Sequence, residues 1–206
     1  MGIWLAKRLN KVGMCGIMGL RGQLICPTNR KLTRITMNFE LLPLEQTDIG
    51  IFKHDIQEAF QKGYEDVYGE TEGIILPEKD IDSSLNAVGS VAYKAVVSGE
   101  IVGGAVVTID EKTQHNHLDL LYVKYGTQTK GFGFAIWNAI EKAHPDTKVW
   151  ETCTPYFEKR NIHFYVNKCG FKIVKFYNEK NPEPDMPDDF IGDGGDGMFV
   201  FEKQMR

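Results

Sequence analysis

The spacing of apolar residues predicts eleven secondary-structure elements between residues 38 and 203. Spacings of three and four residues indicate amphipathic helices, and alternation at every second residue indicates strands. The predicted helices cover residues 46–63, 80–86, 131–143 and 157–168. The predicted strands cover residues 38–44, 90–97, 101–109, 117–123, 148–154, 171–177 and 198–203.

The order of these elements, β-α-α-β-β-β-α-β-α-β-β, predicts one mixed sheet. Strands 90–97 and 101–109 are joined by Ser98-Gly99-Glu100, which is typical of a hairpin turn. Several later strands are separated by helices, as in crossover connections. We therefore expect an α/β (α+β) domain with a mostly antiparallel sheet of about six to seven strands, flanked by about four helices.

The strand predicted at residues 117–123 changes its apolar phase halfway. Leu118 and Leu120 lie two residues apart, and so do Leu121 and Val123, but the second pair is shifted by one residue. A β-bulge at this point would produce such a shift. A strand buried on both faces would produce the same pattern, so the sequence leaves both alternatives open.

Charge divides the chain near residue 37. Residues 1–36 carry seven basic side chains and no acidic one, whereas the later residues carry 17 basic and all 28 acidic side chains. Because the first 36 residues also lack a regular apolar period, we expect a basic leader at 1–36 and a folded domain at 37–206. A secretory signal is the alternative interpretation of the leader, although its apolar stretch is short and interrupted by glycines.

Composition limits the classes of binding partner and the cellular compartment that we expect. An acidic domain disfavours nucleic acid as a partner, because binding phosphates needs a basic surface. No apolar run of about 18 residues is present, so we expect no membrane-spanning helix and no membrane partner. The four cysteines form no CxxC pair, which favours a reduced, cytoplasmic protein.

Two glycines, Gly131 and Gly133, lie at the predicted start of the third helix. Backbone N–H groups can converge on an anion there, because no side chain stands in the way and a helix N-terminus carries partial positive charge. A Gly-x-Gly turn is also common as a plain strand-to-helix connection. Neither the dinucleotide fingerprint nor the Walker A pattern is present.

Three strings of residues resemble signatures of the GNAT superfamily of N-acetyltransferases, in its bacterial form. Gln128, Gly131 and Gly133 match the fixed positions of the family's acyl-CoA loop. Residues 118–123 resemble the strand that leads into this loop, and residues 164–171 look like the family's helix-to-strand junction. The order and spacing of these strings fit the predicted elements.

The resemblance implies acetyl-CoA as the cosubstrate, no metal, and central strands that splay apart. The implied coenzyme contacts are Leu121, Tyr122, Val123, Gln128, Thr129, Lys130, Gly131, Phe132, Gly133, Phe134, Asn161 and Phe164. One position departs from the family pattern, because Glu158 stands where an asparagine usually helps to hold the pantetheine arm. Asn161 lies about one helical turn onward on a similar face and could serve instead.

Acetyl transfer to an amine needs a general base, a donor for the oxyanion and an acid for the leaving thiolate. The resemblance implies that the backbone of Leu121 and Tyr122 binds the oxyanion and that Tyr165 is the acid. Considered by position alone, Tyr165 would be a core aromatic residue whose hydroxyl reaches water.

The general base has several candidates on the central strands. His117 stands where many family members have a glutamate, and Asp119 lies on the same face, where it could orient the histidine or act through water. His117 could also simply face solvent at the start of its strand. Glu151 is a carboxylate in an otherwise apolar strand and needs a partner or a function. His115, His117 and Asp119 lie at every second position of the strand and are residue types that suit zinc, but the family needs no metal.

The acceptor side is predicted at the first helices and the loop between them. Tyr64, Glu65 and Tyr68 combine aromatic rings with a carboxylate, which suits a cationic amine. Acidic loops are also commonly just solvated. We expect a small-molecule amine or a peptide amine as the acceptor, and the sequence is compatible with a homodimer. The alternative function is a non-catalytic acyl-CoA-binding sensor on the same fold.

Overall fold

All eleven predicted elements are present in the computed structural model, which describes residues 39–127, 131–182 and 197–206. The strands are β1 (Phe39–Pro43), β2 (Ser90–Val97), β3 (Glu100–Thr108), β4 (His115–Val123), β5 (Val149–Pro155), β6 (Lys172–Tyr177) and β7 (Met198–Gln204). The helices are α1 (Ile49–Tyr68), α2 (Glu78–Leu85), α3 (Phe132–Ala143) and α4 (Lys159–His163). Helix α4 continues as a π-helical stretch, Phe164–Cys169, and stops at Gly170 in the left-handed region, as predicted.

The strands form one seven-stranded sheet in the order β1-β2-β3-β4-β5-β7-β6. Among the described strands, β4 and β5 are the one parallel pair, and the other neighbours are antiparallel. The β2–β3 hairpin turns through Ser98 and Gly99, which have φ values of 54° and 87°. The predicted mixed, mostly antiparallel sheet is therefore confirmed.

Helices cover both faces of this sheet, and each face has its own apolar core. Helices α1 and α2 pack on one face through Phe52, Ile56 and Ile81. Helices α3 and α4 pack on the other face, where Trp137 and Trp150 meet edge to face with 5.5 Å between ring centroids. The two cores hold the middle strands, β3 to β5, between them.

Two adjacent glycines of β3 allow helices from both faces to approach the middle of the sheet. A Cβ atom at Gly104 would lie 2.6 Å from Phe52 Cε2 and 2.6 Å from the carbonyl oxygen of Tyr93. A Cβ atom at Gly103 would lie 3.0 Å from Ile136 Cδ1 on the opposite face. Any larger residue must therefore displace a helix side chain or the backbone of β2.

Gly104→Ala is expected to lower the free energy of unfolding by about 2 kcal/mol, because the added methyl group overpacks the core. Gly50→Ala is a matched control, since an added Cβ atom at this α1 position would meet nothing within 4 Å. Alanine there should raise stability by up to about 1 kcal/mol through its helix propensity. Chemical denaturation of both variants measures the difference, and wild-type stability in Gly104→Ala would contradict the close packing.

Helix α1 extends further than the sequence predicts. It passes Gly63 and ends at Tyr68, so that the three residues predicted in a substrate-binding loop lie on its last turns: Tyr64, Glu65 and Tyr68. Gly63 does not stop the helix because its carbonyl oxygen accepts a hydrogen bond of 2.7 Å from Arg160. A Cβ atom at Gly63 would lie 3.3 Å from that guanidinium. The glycine therefore leaves room for the Arg160 contact and does not mark the end of the helix.

The remaining boundaries agree with the predicted ones to within two residues, except that Gln46–Asp48 form a separate 3-10 turn before α1. The predicted leader at 1–36 lies outside the described residues, so the domain boundary near residue 37 stays a prediction. Within the described ranges, no helix is both long enough and apolar enough to cross a membrane.

Candidate active site

The central strands β4 and β5 separate after a short parallel contact. They pair at His115–Val149, Asn116–Trp150 and His117–Glu151, and the described residues beyond these form no further ladder pair. At the branch point, the Thr152 hydroxyl donates a hydrogen bond of 2.9 Å to the carbonyl oxygen of Leu118. The predicted splay is therefore present, and it opens a gap between the C-terminal halves of the two strands.

A β-bulge at Asp119 lies just inside this gap. In the β3–β4 ladder, Val107 pairs with Leu118 and Val106 pairs with Leu120, so Asp119 is the extra residue. Leu118 packs in the α3–α4 core, whereas Leu120 packs in the α1–α2 core. Both alternatives that the apolar pattern left open are therefore found, because β4 contains a bulge and is also buried on both faces of the sheet.

Beyond the bulge, β4 presents its backbone to the gap rather than its large side chains. The Tyr122 ring is 2% exposed and meets Phe52 edge to face at 5.2 Å in the α1–α2 core. Leu121 and Val123 pack against the opposite core. The backbone of these three residues, rather than their side chains, can therefore contact a molecule in the gap.

The N-terminus of α3 follows β4 and has the features of an anion site. Gly131 caps the helix with φ of 79°, and an added Cβ atom there would meet no atom of the described residues within 4 Å. Gly133 lies close to the gap, since a Cβ atom there would be 3.5 Å from Val123 and 3.6 Å from Phe164. A helix start whose N-cap residue makes no side-chain hydrogen bond can bind phosphate through its N–H groups.

The rest of the predicted coenzyme loop is only partly described. Phe132 is buried in the α3 core, and Phe134 is 44% exposed. Gln128, Thr129 and Lys130 lie outside the described residues, so their predicted contacts stay predictions.

Tyr165 lies in an apolar environment on the β5 side of the gap. Its ring packs against Phe164, Phe171 and Phe201 with centroid distances of 5.4 to 5.6 Å. Burial raises the pKa of Tyr165 well above its usual value, and a hydrogen-bonding interaction with Thr152 offsets part of that rise. Thr152 also bonds Leu118, so Tyr165 lies near the point where β4 and β5 separate.

Asn161 also faces β5. Its side-chain amide donates a hydrogen bond of 3.4 Å to the hydroxyl of the buried Thr154. Glu158, which stands at the usual asparagine position, is the N-cap residue of α4. Burial raises the pKa of Glu158, and the nearby Arg160 opposes the rise. That Asn161 holds the pantetheine arm in place of the usual asparagine stays a prediction.

A three-residue hydrogen-bond chain lies on the other side of the gap. His117 Nδ1 is 2.5 Å from Asp119 Oδ1, and the Thr108 hydroxyl donates to Asp119 Oδ2 at 2.6 Å. The Asp119 side chain is 2% exposed and the His117 side chain 18% exposed. The pairing of His117 with Asp119 matches the expectation that the aspartate could orient the histidine, whereas Thr108 was not predicted.

Glu151 lies on the strand next to His117, in a second polar group. It is paired in register with Glu202 on β7, and its Oε2 is 3.6 Å from His115 Nε2. Donor atoms of these three residues lie within 4.8 Å of one another, as do those of His54, Asp55 and Glu58 on α1. Both groups contain metal-ligand types, and neither is the His115–His117–Asp119 set, for which the family resemblance implies no metal.

The end of α1 spans the two sides of the gap. Tyr64 stacks on Tyr68 at 4.7 Å, and both rings meet Phe157 edge to face. The Tyr68 hydroxyl donates to the carbonyl oxygen of Phe157 at 2.5 Å, which ties α1 to the β5–α4 connection. On the β4 side, the Tyr125 hydroxyl donates to Asp66 Oδ1 at 3.2 Å. These long-range partners carry no signal in the sequence.

The predicted acceptor residue Glu65 has local partners. Its carboxylate pairs with Lys62 at 2.8 Å and accepts a hydrogen bond of 2.9 Å from Gln61. The Lys62 ammonium lowers the pKa of Glu65, so the carboxylate is charged at neutral pH. Together with Glu58, Asp66 and Glu72, it makes this end of α1 and the loop after it acidic.

Comparison with known proteins places these features in a family context. Residues 53–171 match the family model described as the acetyltransferase (GNAT) family. The uncharacterized protein YrkN of Bacillus subtilis is 46% identical over 168 residues, which cover 79% of this chain and 91% of YrkN.

Solved structures share the fold at low identity. The ribosomal-protein-S18-alanine N-acetyltransferase of Escherichia coli matches with a TM-score of 0.60 and 15% identity, over 81% of this chain and 93% of that one. The PaiA N-acetyltransferase of Thermoplasma acidophilum, solved in complex with coenzyme A, matches with a TM-score of 0.60 and 16% identity, over 82% and 100%.

Proposed function

Since this chain belongs to the acetyltransferase (GNAT) family, we propose that it transfers the acetyl group of acetyl-CoA to the nitrogen of a cationic amine. The observation that carries this proposal is the gap between β4 and β5, with the glycine-capped α3 N-terminus at one end and Tyr165 at its branch point. This arrangement suits a long ligand that has an anionic end and a reactive end.

In the proposed complex, the pyrophosphate lies at the α3 N-terminus. Open space at Gly131 and the helix N–H groups favour an anion there. The pantetheine arm then runs along the edge of β4 that faces away from β3, at Leu121, Tyr122 and Val123, where its amide groups take the hydrogen bonds that β5 would otherwise make. Asn161 and Phe164 line the opposite side of the arm.

Bound acetyl-CoA supplies a thioester whose carbonyl carbon the amine attacks. At Leu121–Tyr122, the backbone N–H that points away from β3 can stabilise the oxyanion, because β5 does not pair with β4 there. Tyr165 donates its proton to the leaving thiolate. The raised pKa of Tyr165 keeps the phenol protonated at neutral pH, which is the form that a donor requires.

The attacking amine must lose a proton, and His117 is the proposed acceptor. The carboxylate of Asp119 accepts the Nδ1 proton, so the lone pair of the neutral ring lies on Nε2. A histidine held in this tautomer can accept a proton from the amine directly or through water. Glu151, on the adjacent strand, is the alternative base.

His117→Ala is expected to flatten the acidic limb of the kcat/KM pH profile, because the group whose deprotonation produces that limb is lost. The remaining rate should rise with pH as more of the amine loses its proton unaided. His115→Ala is the matched control, since His115 lies two residues earlier on β4. An acidic limb that survives in His117→Ala would assign the base to Asp119, Glu151 or a water molecule.

A cationic acceptor is proposed because the end of α1 combines carboxylates with stacked aromatic rings. The acceptor class is tested with amines that share one reacting group but differ in their number of positive charges. Polyamines and amino sugars should give a higher kcat/KM than singly charged amines, and the advantage should shrink as salt rises. Equal kcat/KM values across the charge series would contradict the cationic acceptor.

A further inference from the structure

The Asp119 carboxylate is enclosed, and each of its oxygens has a different partner. Its side chain is 2% exposed. Oδ2 accepts a hydrogen bond of 2.6 Å from the Thr108 hydroxyl, and Oδ1 lies 2.5 Å from His117 Nδ1. A buried carboxylate depends on such donors, because no bulk water replaces a lost hydrogen bond.

The sheet itself brings the three side chains together. Thr108 is the last residue of β3 and pairs in register with His117 on β4. The bulge at Asp119 follows two residues after His117. Thr108 is thus the cross-strand neighbour of the histidine and, at the same time, a hydrogen-bond donor to the carboxylate that holds it.

The two hydrogen bonds fix the orientation of the carboxylate together. Turning the carboxylate out of its present plane would break both of them, so the Thr108 hydroxyl helps to hold one carboxylate oxygen against the imidazole. This oxygen can only accept, and His117 must therefore donate from Nδ1. The hydroxyl of Thr108 donates to Asp119 and would act on His117 through that carboxylate.

We propose that Thr108 is a positioning residue that orients residue 119, so that its carboxylate stays against His117 Nδ1 and keeps that nitrogen the donor. The proposal rests on His117 being the base of the proposed reaction. It predicts that a serine, which keeps the hydroxyl, can replace Thr108, and that valine, which keeps only the branched shape, cannot.

The direct test replaces the Asp119 carboxylate with an amide, because the oxygen and the NH2 group of an amide differ chemically. In Asp119→Asn, a hydroxyl at position 108 should hold the amide oxygen, so that the NH2 group donates to His117 Nδ1 and the ring becomes the Nε2–H tautomer. Adding Thr108→Val should free the amide to turn, and the Nδ1–H tautomer should reappear. Ring nitrogen chemical shifts of labelled His117 report the tautomer without any turnover.

Thr147→Val, added to Asp119→Asn, is the matched control. Thr147 is buried, and its valine variant loses a side-chain hydrogen bond in the same way, the one of 2.7 Å from Asn116 rather than one to Asp119. This control should leave the Nε2–H tautomer unchanged. The Nδ1–H tautomer in Asp119→Asn with Thr108 intact, or the same tautomer with and without the hydroxyl, would overturn the proposal.

Kinetics give a second readout in the otherwise wild-type protein. Thr108→Val should lower kcat/KM for the amine by about tenfold, a size typical of groups that orient a functional residue, with little change in KM for acetyl-CoA. Thr108→Ser should restore most of the loss. If the wild-type protein shows no turnover at all, the proposed function fails, while the tautomer experiment still decides the role of Thr108.

Discussion

Gly131→Asp is expected to lower the affinity for acetyl-CoA by at least about 100-fold, which corresponds to about 2.7 kcal/mol. The open space at Gly131 is the place proposed for the pyrophosphate, and an aspartate would put a negative charge into it. The variant should still fold, because aspartate is a favoured N-cap residue and tolerates the left-handed backbone region better than most residues. Calorimetric titration of the folded variant measures the loss.

Two controls separate charge from shape and from backbone strain. Gly131→Asn has nearly the same shape without the charge and should lose much less affinity than Gly131→Asp. Gly99→Asp makes the same substitution in the β2–β3 turn, where φ is 87° and an added Cβ atom also meets nothing within 4 Å. It should bind acetyl-CoA like the wild type. Undiminished affinity in Gly131→Asp would move the pyrophosphate away from the α3 N-terminus.

Tyr165→Phe is expected to lower kcat by roughly 10- to 1000-fold, within the range that acid–base groups contribute. Phenylalanine keeps the ring contacts with Phe164, Phe171 and Phe201 and removes only the proton donor. KM for acetyl-CoA should change little, because the lost interaction belongs to the transition state. Steady-state kinetics with a saturating amine measure both constants.

Tyr93→Phe is the matched control for the loss of a tyrosine hydroxyl. Tyr93 bonds His144 at 2.9 Å on β2, outside the gap, and its loss should leave kcat unchanged. A wild-type kcat in Tyr165→Phe would mean that the thiolate leaves unassisted or that product release limits the rate. A pre-steady-state burst of product would identify the second case.

The order of elements could be predicted from the sequence because each helix or strand has its own apolar periodicity and its own terminating residues. Gly170 ends its helix as the pattern indicates, since a left-handed residue is needed there. Gly63 has the same appearance in the sequence but lies inside α1, because Arg160 and the Tyr68–Phe157 contact hold the helix beyond it. Such partners are about 90 residues away along the chain, and no local pattern reveals them.

The residues of the candidate site also fall into two groups, those that local sequence indicates and those that depend on distant partners. Gly131 and Tyr165 could be proposed from the sequence because they lie in local strings with a recognisable order, whereas the phase shift at residues 118–123 left the bulge as one of two alternatives. Thr108 and Thr152 could not be predicted, because their roles depend on which strand lies beside which and in what register. The hydrogen bonds of these two threonines are set by the sheet, and a threonine in a strand is otherwise unremarkable in sequence.

The most direct measurement follows the release of free thiol and the formation of acetylated amine together. The protein is given acetyl-CoA and a panel of polyamines, amino sugars and peptide α-amines, and its coenzyme A binding is measured in parallel. A transferase must release one thiol for each amide formed, and release must depend on the amine and fall in Tyr165→Phe. We expect this result with at least one cationic amine. Tight coenzyme A binding without amine-dependent thiol release would contradict it and would indicate an acyl-CoA-binding sensor instead.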